Sequence, residues 1–401
     1  MQEVALDAAR GPCTGLRVLD FSTVVSGPLC TQILGDLGAD VIKVEAPRGD
    51  VSRLMGPPFR DGGLSGFFVQ VNRNKRSLVL DLQHPDAAAI ARRLARSCDV
   101  VVQNFRPGVA DRLGIGDAAL RAENPGLVYV SISGFGPDGP YARQPAYDLV
   151  IQGLAGAMPI QGGDGPPAMM KSLVADKCTA LTAASAAVSA LLARERNGGR
   201  GQHVEVPMLD AFAAYLLPDL LIQESFQPTD PNPGPRLDIH RTWQTADGHV
   251  VGIVIEDAQF VGICRALDRS DLLEDSRFAS FVGRIQHADE LFGLFEAELR
   301  KWPTHEFIAR AREFGAPFAP ANDLQEFLAD PQVQHNRTWQ DFEAPGTGTT
   351  RYLRHPVRYA ETPASLRRHP PRLGQHTDEV LAEAGFDADE IRAGRESGAI
   401  A

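Results

Sequence analysis

Two short apolar runs with a helical stretch between them most constrain how this chain can fold. LRVLDF (residues 16–21) predicts a buried strand, and ADVIKVE, which ends at Glu45, predicts a second one. Between them the loop STVVSGP leads into LCTQILGDLG, which predicts a helix that ends at Gly38. A strand–helix–strand unit of this kind predicts two parallel strands joined by a right-handed crossover.

The alternation of strand and helix continues through the first half of the chain. RSLVLDL (residues 76–82), CDVVVQNF and GLVYVSISGFG predict strands, and HPDAAAIARRLARS predicts an amphipathic helix with Pro85 near its start. Residues 171–196 predict a long helix, and HVEVPML predicts a strand after it. Short buried strands separated by helices are typical of an open, doubly wound sheet, so the predicted fold class is α/β.

The composition changes near residue 217, which predicts a domain boundary. QPTDPNPGPRLDIH is rich in proline and polar residues and predicts a linker. RTWQTADGHVVGIVI then predicts a β-hairpin with its turn at Asp247 and Gly248, followed by two or three amphipathic helices as far as Phe314. GTGTTRYLRHPVRYA brings strand-like residues back, and GQHTDEVLAEAG predicts a capped terminal helix.

Charge and composition exclude several classes of partner. The chain of 401 residues carries a net charge of −11, whereas binding a nucleic-acid backbone needs a basic face. No uninterrupted run of about 18 apolar residues is present, so no membrane span is expected, and the N-terminus shows no signal segment. The cysteines are odd in number and never spaced as C-x-x-C, which indicates reduced thiols; they are Cys13, Cys30, Cys98, Cys178 and Cys264. We therefore expect a soluble, cytoplasmic protein.

Motifs of several common cofactor sites are missing from the sequence. The loop STVVSGP has neither G-x-G-x-x-G nor G-x-x-x-x-G-K-[ST], which disfavours a nicotinamide cofactor even though Glu45 stands where a ribose-binding acid would. SGFGPDGPY is not a nucleophile elbow, which disfavours a serine hydrolase. The histidines form no H-E-x-x-H motif and no clustered set, so we predict no metal.

Two groups of cations follow or precede predicted strands. NRNKR (residues 72–76) contains Arg73 and Lys75, and NFRPG (residues 104–108) is followed by Arg112. Each group alone is typical of a solvated loop. Placed together at strand ends, with Phe105 beside them, they also suit the phosphates and adenine of a nucleotide-like ligand.

Asp176 stands at the front of the long apolar helix predicted by LTAASAAVSALLARE. Local sequence favours an N-cap, because an aspartate before an apolar helix is a common start signal. The alternative is a carboxylate kept ionised by the helix dipole and used as a covalent nucleophile in acyl transfer. Cys178, two residues further on, has no basic partner nearby and is interpreted as a small buried residue.

Several segments resemble, in the same order along the chain, the class III CoA-transferases, the family of formyl-CoA transferase and carnitine CoA-transferase. These segments are GLRVLDFSTVVSGPLCTQILGDLGADVIKVEAPRGD, NRNKRSLVLDL, DVVVQNFRPG, NPGLVYVSISGFGPDGPY, YDLVIQGLAG, VADKCTALTAASAAVSALLARERNGGRGQHVEVPMLDA and LGQHTDEVLAEAG. The resemblance implies a Rossmann-like large domain completed by the C-terminus, a smaller α+β domain and an interlocked homodimer. The expected bounds are 1–216 for the large domain, 217–240 for a linker, 241–330 for the small domain, and 331–401 for a second linker with the rest of the large domain.

The resemblance also implies that Asp176 is the nucleophile of a CoA-transferase. Its carboxylate would attack an acyl-CoA, pass through a mixed anhydride to an aspartyl-CoA thioester, and hand CoA to a free carboxylic acid. No cofactor beyond coenzyme A is expected. The donor is predicted to be succinyl-CoA and the acceptor a dicarboxylic or related acid, as is common in the family.

The predicted CoA site follows from the same resemblance. It comprises Val25, Ser26, Leu80, Asn104, Phe105, Arg106 and Arg112, with Tyr147 near the thioester end and with Arg73 and Lys75 added on charge. His240 and Arg241 are predicted contacts of a carboxylate substrate. Formyl-CoA transferase has Gln at the position of Val25, Lys at that of Gln83 and a glycine run after the equivalent of Asp210, so oxalate is not the expected acceptor here.

Two other functions remain open on the sequence. An α-methylacyl-CoA racemase shares the fold and would use Asp176 as a base, but it needs a second base, typically a histidine, where this chain has Tyr147. A catalytically inactive CoA-binding subunit would be expected to lack the aspartate. Both alternatives are therefore ranked below the transferase.

Overall fold

The computed structural model describes residues 11–60, 63–163, 165–232, 240–344 and 347–401. The chain divides into two compact units. One unit runs as far as Ser225 and also contains Arg337–Ala401, and the other is Phe226–Asn336. No helix in the described ranges is long and apolar enough to cross a membrane.

A parallel sheet forms the centre of the first unit. Its strands are β1 (Arg17–Asp20), β2 (Asp40–Glu45), β3 (Lys75–Val79), β4 (Val100–Gln103), β5 (Val128–Ser133) and β6 (His203–Pro207). They lie in the order β3-β2-β1-β4-β5-β6, and every neighbouring pair is parallel. This is the strand order of a doubly wound sheet, and the predicted α/β class is confirmed.

The inner strands of the sheet, β1, β2, β4 and β5, are buried on both faces, which explains why their sequences are largely apolar. Val18 and Val100 face one core, which includes the helix Val174–Arg196, and Leu19 and Val101 face the other, which includes the helix Ala87–Ala95. Successive side chains of a strand point to opposite faces, and the inner strands β1, β2, β4 and β5 each contribute to both cores.

Further helices and short strands complete this unit. The helices are Ser26–Asp36, Gly66–Val71, Val109–Arg112, Asp117–Glu123, Asp148–Leu154, Met158–Gly162, Met208–Leu216, Thr377–Glu383 and Ala388–Ser397, with a 3₁₀ turn at Val51–Leu54. Small hairpins pair Phe59–Arg60 with Leu64–Ser65 and Trp339–Ala344 with Gly348–Leu353.

The C-terminal segment packs against the edge strand β3. The backbone N–H of His376 donates to the carbonyl of Ser77 at 2.9 Å, and Ile400 forms an isolated bridge with Leu80. The helix predicted as terminal, Thr377–Glu383, is followed by Ala388–Ser397, so that expectation was wrong. The signal was present, because Asp387 and Glu390 form a capping box at the start of the last helix.

The second unit has its own core of helices on a small antiparallel sheet. Its strands Thr242–Gln244, His249–Gly252 and Phe318–Pro320 pair with His249–Gly252 in the middle, and the predicted hairpin at Asp247 and Gly248 is confirmed. Its helices are Asp257–Ala266, Phe281–Gln286, Ala288–Leu299, Thr304–Glu313, Leu324–Ala329 and Pro331–Asn336, with a 3₁₀ turn at Ser270–Leu273. Of the predicted linker, residues 217–232 contain no helix or strand, and residues 233–239 lie outside the described residues.

Candidate active site

A cleft opens at the carboxyl ends of β1, β4 and β5. Since the sheet order reverses between β1 and β4, the connections that follow these strands leave to opposite sides, and ligands of doubly wound folds bind at this point. The cleft has a volume of about 200 Å³. It is lined by residues 23–26, 104–107, 132–134, 142 and 144–147, and by Asp176 and Met208.

Asp176 lies in the first turn of the helix Val174–Arg196 and not at its cap. The N-cap is Leu173, whose side chain caps nothing, and Asp176 is the third helical residue. The N-cap interpretation of Asp176 is therefore wrong. Its carboxyl group lines the cleft while the residue is only 9% exposed, so the side chain is held close to the ligand space and away from bulk water.

The surroundings of Asp176 make its carboxylate more basic than usual. Burial and, to a smaller extent, the nearby Asp148 carboxylate together raise the pKa of Asp176 to about 6, against hydrogen bonds from the hydroxyl and backbone N–H of Ser26 that oppose the rise. At neutral pH the group is still mainly ionised. A carboxylate that is ionised yet more basic than usual suits nucleophilic attack.

Asp148 and Gln152 hold the start of the Asp176 helix. The backbone N–H of Asp176 donates to Asp148 Oδ2 at 3.0 Å, and Gln152 Nε2 donates to Asp148 Oδ1 at 2.6 Å. Gln152 also accepts from the N–H of Met170 and donates to the carbonyl of Ser172, both at 3.0 Å. The sequence analysis missed both residues as functional, although an Asp and a Gln four residues apart on a helix are a known interacting pair.

The loop after β1 is tied to the loop after β4. Asn104 accepts from the N–H of Thr23 at 2.9 Å and donates to the Thr23 carbonyl at 2.8 Å. The next residue, Val24, has a φ of 71°, which a β-branched residue rarely adopts. Its N–H lies 3.3 Å from both carboxylate oxygens of Asp50, whose charge is paired with Lys43 at 2.9 Å. Strain of this kind persists where the surroundings impose it, often at ligand sites.

Three predicted CoA contacts are buried in the interior and do not line the cleft. Lys75 is fully buried, with its Nζ 2.9 Å from Asp20 Oδ2, and Arg73 is 7% exposed and makes two hydrogen bonds to Asp36. The phosphate-clamp interpretation of these cations is therefore corrected: both stabilise the interior, because buried charges require partners. The Leu80 side chain is also fully buried and does not line the cleft.

Of the remaining predicted CoA contacts, all but Arg112 line the cleft. Val25, Ser26, Asn104, Phe105, Arg106 and Tyr147 line it. Tyr147 is 66% exposed and precedes the helix Asp148–Leu154, and Arg106 is exposed with no ion pair to any described residue. Arg112 is exposed and does not line the cleft, and its guanidinium lies over Gly108.

His240 and Arg241 belong to the second unit, where Arg241 Nη2 donates to Asp289 at 2.8 Å and the guanidinium lies 4.7 Å from the Phe292 ring centre. Their role as substrate contacts stays a prediction. Across the described ranges, no three His, Cys, Asp or Glu side chains are grouped as metal ligands would be.

Comparison with known proteins gives concordant matches over nearly the whole chain. The sequence profile of CoA-transferase family III matches residues 14–377. A succinate–glutarate CoA-transferase of Agrobacterium fabrum (strain C58) is 36% identical over 382 residues, covering 93% of this chain and 95% of that protein. A succinyl-CoA:mesaconate CoA-transferase of Haloarcula marismortui is 35% identical over 399 residues, covering 95% and 98%. Among solved structures, a CAIB/BAIF family protein from Brucella suis matches with a TM-score of 0.80 and 33% identity, covering 94% of this chain and 100% of that one.

Proposed function

The chain belongs to CoA-transferase family III, and from that premise we propose that it moves CoA from succinyl-CoA to a dicarboxylic acid through a covalent intermediate on Asp176. The observation that carries the proposal is the buried Asp176 carboxylate, with its raised pKa, at the wall of a cleft on the sheet's switch point.

The proposed reaction is a series of acyl transfers that balances without an oxidant or a reductant. The Asp176 carboxylate attacks the thioester carbonyl, the C–S bond breaks, and CoA leaves as a thiolate from a succinyl–aspartyl anhydride. The thiolate attacks the aspartyl carbonyl and releases succinate, which leaves an aspartyl-CoA thioester. The acceptor carboxylate then attacks the aspartyl-CoA thioester and displaces the CoA thiolate, which gives an acceptor–aspartyl anhydride. The thiolate attacks the acceptor carbonyl of this anhydride, so the acceptor leaves as its CoA thioester and the Asp176 carboxylate is regenerated. One thioester is exchanged for another, so coenzyme A is the only cofactor that the proposal requires.

The groups around Asp176 fit the charge changes in this sequence. Each attack places negative charge on a carbonyl oxygen, and preorganised donors stabilise such charge. The hydroxyl and the backbone N–H of Ser26, which bond to the Asp176 carboxyl, are the donors that we assign to the aspartyl oxygen. Asp148 accepts the backbone N–H of Asp176 and thereby fixes the turn that carries the nucleophile.

The relatives and the cleft support an anionic, short-chain substrate. The two relatives compared above are named for succinate, glutarate and mesaconate, which are dicarboxylates. Among the described residues that line the cleft, the charged side chains are Asp176 and Arg106. Arg106 therefore supplies a cation for a CoA phosphate or for the second carboxylate of the acid. The proposal further includes a homodimer in the cytoplasm.

Trapping the intermediate tests the proposal directly. The enzyme is incubated with succinyl-CoA and no acceptor, treated with hydroxylamine or borohydride, digested and mapped by mass spectrometry. We expect modification at Asp176 in the wild type and in the matched Asp138→Asn variant, whose exposed acid lies outside the cleft lining. No modification at Asp176, together with deuterium exchange at the α-carbon of a branched acyl-CoA, would favour the racemase instead.

A further inference from the structure

The segment LRRHPPRLGQH (residues 366–376), here called the C-terminal strap, is fixed along the edge strand β3. The N–H of Asn74 donates to the Arg368 carbonyl at 3.0 Å, and the N–H of Gly374 donates to Ser77 Oγ at 3.0 Å. The buried guanidinium of Arg53 donates twice to the Pro371 carbonyl at 3.1 Å. The strap backbone is therefore held in place before any ligand arrives, which lowers the entropic cost of using its side chains.

A pocket of about 410 Å³ lies against this strap. Most of its polar side chains come from the strap itself, namely Arg368, His369, Arg372, Gln375 and His376; Lys75 of β3, whose charge is paired with Asp20, also lines it. No aspartate or glutamate is among the described residues that line it, although the chain as a whole carries a net charge of −11. None of its lining residues also lines the cleft that contains Asp176.

The two arginines of the pocket carry uncompensated charge. Neither the Arg368 nor the Arg372 side chain forms an ion pair with any described residue, whereas Arg53 and Arg73 in the same unit bind Glu45 and Asp36. Burial lowers the pKa of the neighbouring Arg367, and repulsion by the Arg368 charge contributes to the shift, although Asp36 and Asp40 oppose it. An anion in the pocket would relieve this repulsion.

The neutral groups of the pocket also present donors. His376 Nδ1 accepts the N–H of Ser77 at 3.2 Å, so the proton of its neutral ring lies on Nε2. Burial and, to a smaller extent, the charge of Arg368 lower the pKa of His376 to about 4 although the Glu379 carboxylate opposes the shift, so the ring is neutral at pH 7. The Gln375 carbonyl oxygen already accepts the N–H of Arg372 at 3.0 Å, which leaves its amide N–H groups to a ligand.

We propose that this pocket binds an oxyanion of the phosphate class, with Arg368 and Arg372 as the cationic contacts and Gln375 and His376 as neutral donors. The pocket offers donors of several kinds, and a phosphate group is acceptor-only with three strong oxygens, whereas a carboxylate has two. The site is separate from the cleft that holds Asp176, so its ligand is neither the acyl donor nor the acceptor.

Isothermal titration calorimetry on the full chain tests the proposal, with inorganic phosphate as the first probe and adenosine 5′-monophosphate as the second. We expect one saturable phosphate per chain, and at least a tenfold loss of affinity in Arg368→Gln/Arg372→Gln. The matched control Arg196→Gln/Arg200→Gln removes the same charge from exposed positions outside the pocket and should bind like the wild type. The exposed single variant Arg372→Gln, checked by its unfolding midpoint, reports on the site if the double variant folds poorly.

Each outcome decides the matter. Tighter binding of the nucleotide than of phosphate would identify a phosphate ester as the ligand, and equal binding would identify the free ion; both support the site. Absence of saturable binding by the wild type, or equal affinity in the pocket and control variants, would overturn it. Competition between phosphate and saturating coenzyme A would also overturn it, because the pocket would then belong to the CoA site.

Discussion

The backbone N–H of Asp176 lies 3.0 Å from the Asp148 carboxylate, so one acid fixes the position of the other. The same carboxylate raises the pKa of Asp176, in addition to the larger effect of burial. Asp148 thus combines a structural bond with an electrostatic effect on the proposed nucleophile. The hydrogen bond and the effect on the pKa of Asp176 can be measured separately, because the first affects the position of the side chain and the second affects the pH dependence of activity.

Replacing the nucleophile should abolish transfer without unfolding the protein. For Asp176→Ala we expect CoA transfer to fall by roughly three orders of magnitude or more, since loss of a covalent nucleophile removes the whole pathway. CoA binding, measured by calorimetry, should remain within a few-fold of the wild type. The exposed neighbour variant Lys177→Ala serves as the control, and near-wild-type turnover by Asp176→Ala would refute the assignment.

Asp176→Asn should make the protein more stable at neutral pH. The pKa of Asp176 is raised from 3.8 in the unfolded chain to about 6 in the folded state, so the folded state binds more protons and stability falls as pH rises through that interval. The amide does not titrate and avoids this cost, which is on the order of 3 kcal/mol above pH 6. Thermal unfolding at pH 7.5 and pH 3.5 checks the sign.

The stability gain of Asp176→Asn should be present at the higher pH and absent at the lower one. Below the unfolded-state pKa, the wild-type acid is protonated in both states and costs nothing. An equal difference at both pH values would mean that Asp176 is not destabilised by its surroundings.

Removing the charge of Asp148 should move the pH profile of activity. The acid limb of kcat/KM reflects ionisation of Asp176 and should fall as pH drops through about 6. In Asp148→Asn the like charge is gone, so we expect that limb to shift to lower pH, together with a loss of kcat from the weakened anchor. The exposed-acid variant Asp138→Asn should keep the wild-type profile, and a purely structural role of Asp148 would lower kcat without moving the limb.

The cations of the chain should separate into structural and ligand-binding groups. Lys75→Met leaves the buried Asp20 carboxylate without its ion pair, and we expect it to reduce the free energy of unfolding by about 3–5 kcal/mol. Arg106→Gln should leave stability unchanged and raise KM for succinyl-CoA by roughly tenfold, because it removes an exposed cleft cation from an anionic ligand. Unfolding in urea and steady-state kinetics measure the two effects, and a reversed pattern would restore Lys75 as a ligand contact.

The architecture was predictable from sequence, because it depends on patterns within single segments. Short apolar strands alternating with helices predicted a parallel, doubly wound sheet, which the strand order confirms. The errors concern partners that are distant in sequence. Arg73 and Lys75 were predicted as CoA contacts on their charge, because nothing local shows that Asp36 and Asp20 lie against them. The start of the Asp176 helix was misplaced for the same reason: its stabilising acceptor, Asp148, lies on another helix.

The position of Asp176 on a core helix affects how the acceptor specificity of enzymes with this fold can change. The proposed nucleophile belongs to a helix of 23 residues, several of which are part of the core, whereas another part of the cleft lining comes from the irregular segment that contains Ala142 and residues 144–147. Replacing residues of that segment changes which acid fits the cleft and leaves the helix that carries Asp176 unchanged. New acceptor preferences should therefore arise by substitutions in this irregular segment, at little cost to the stability of the fold.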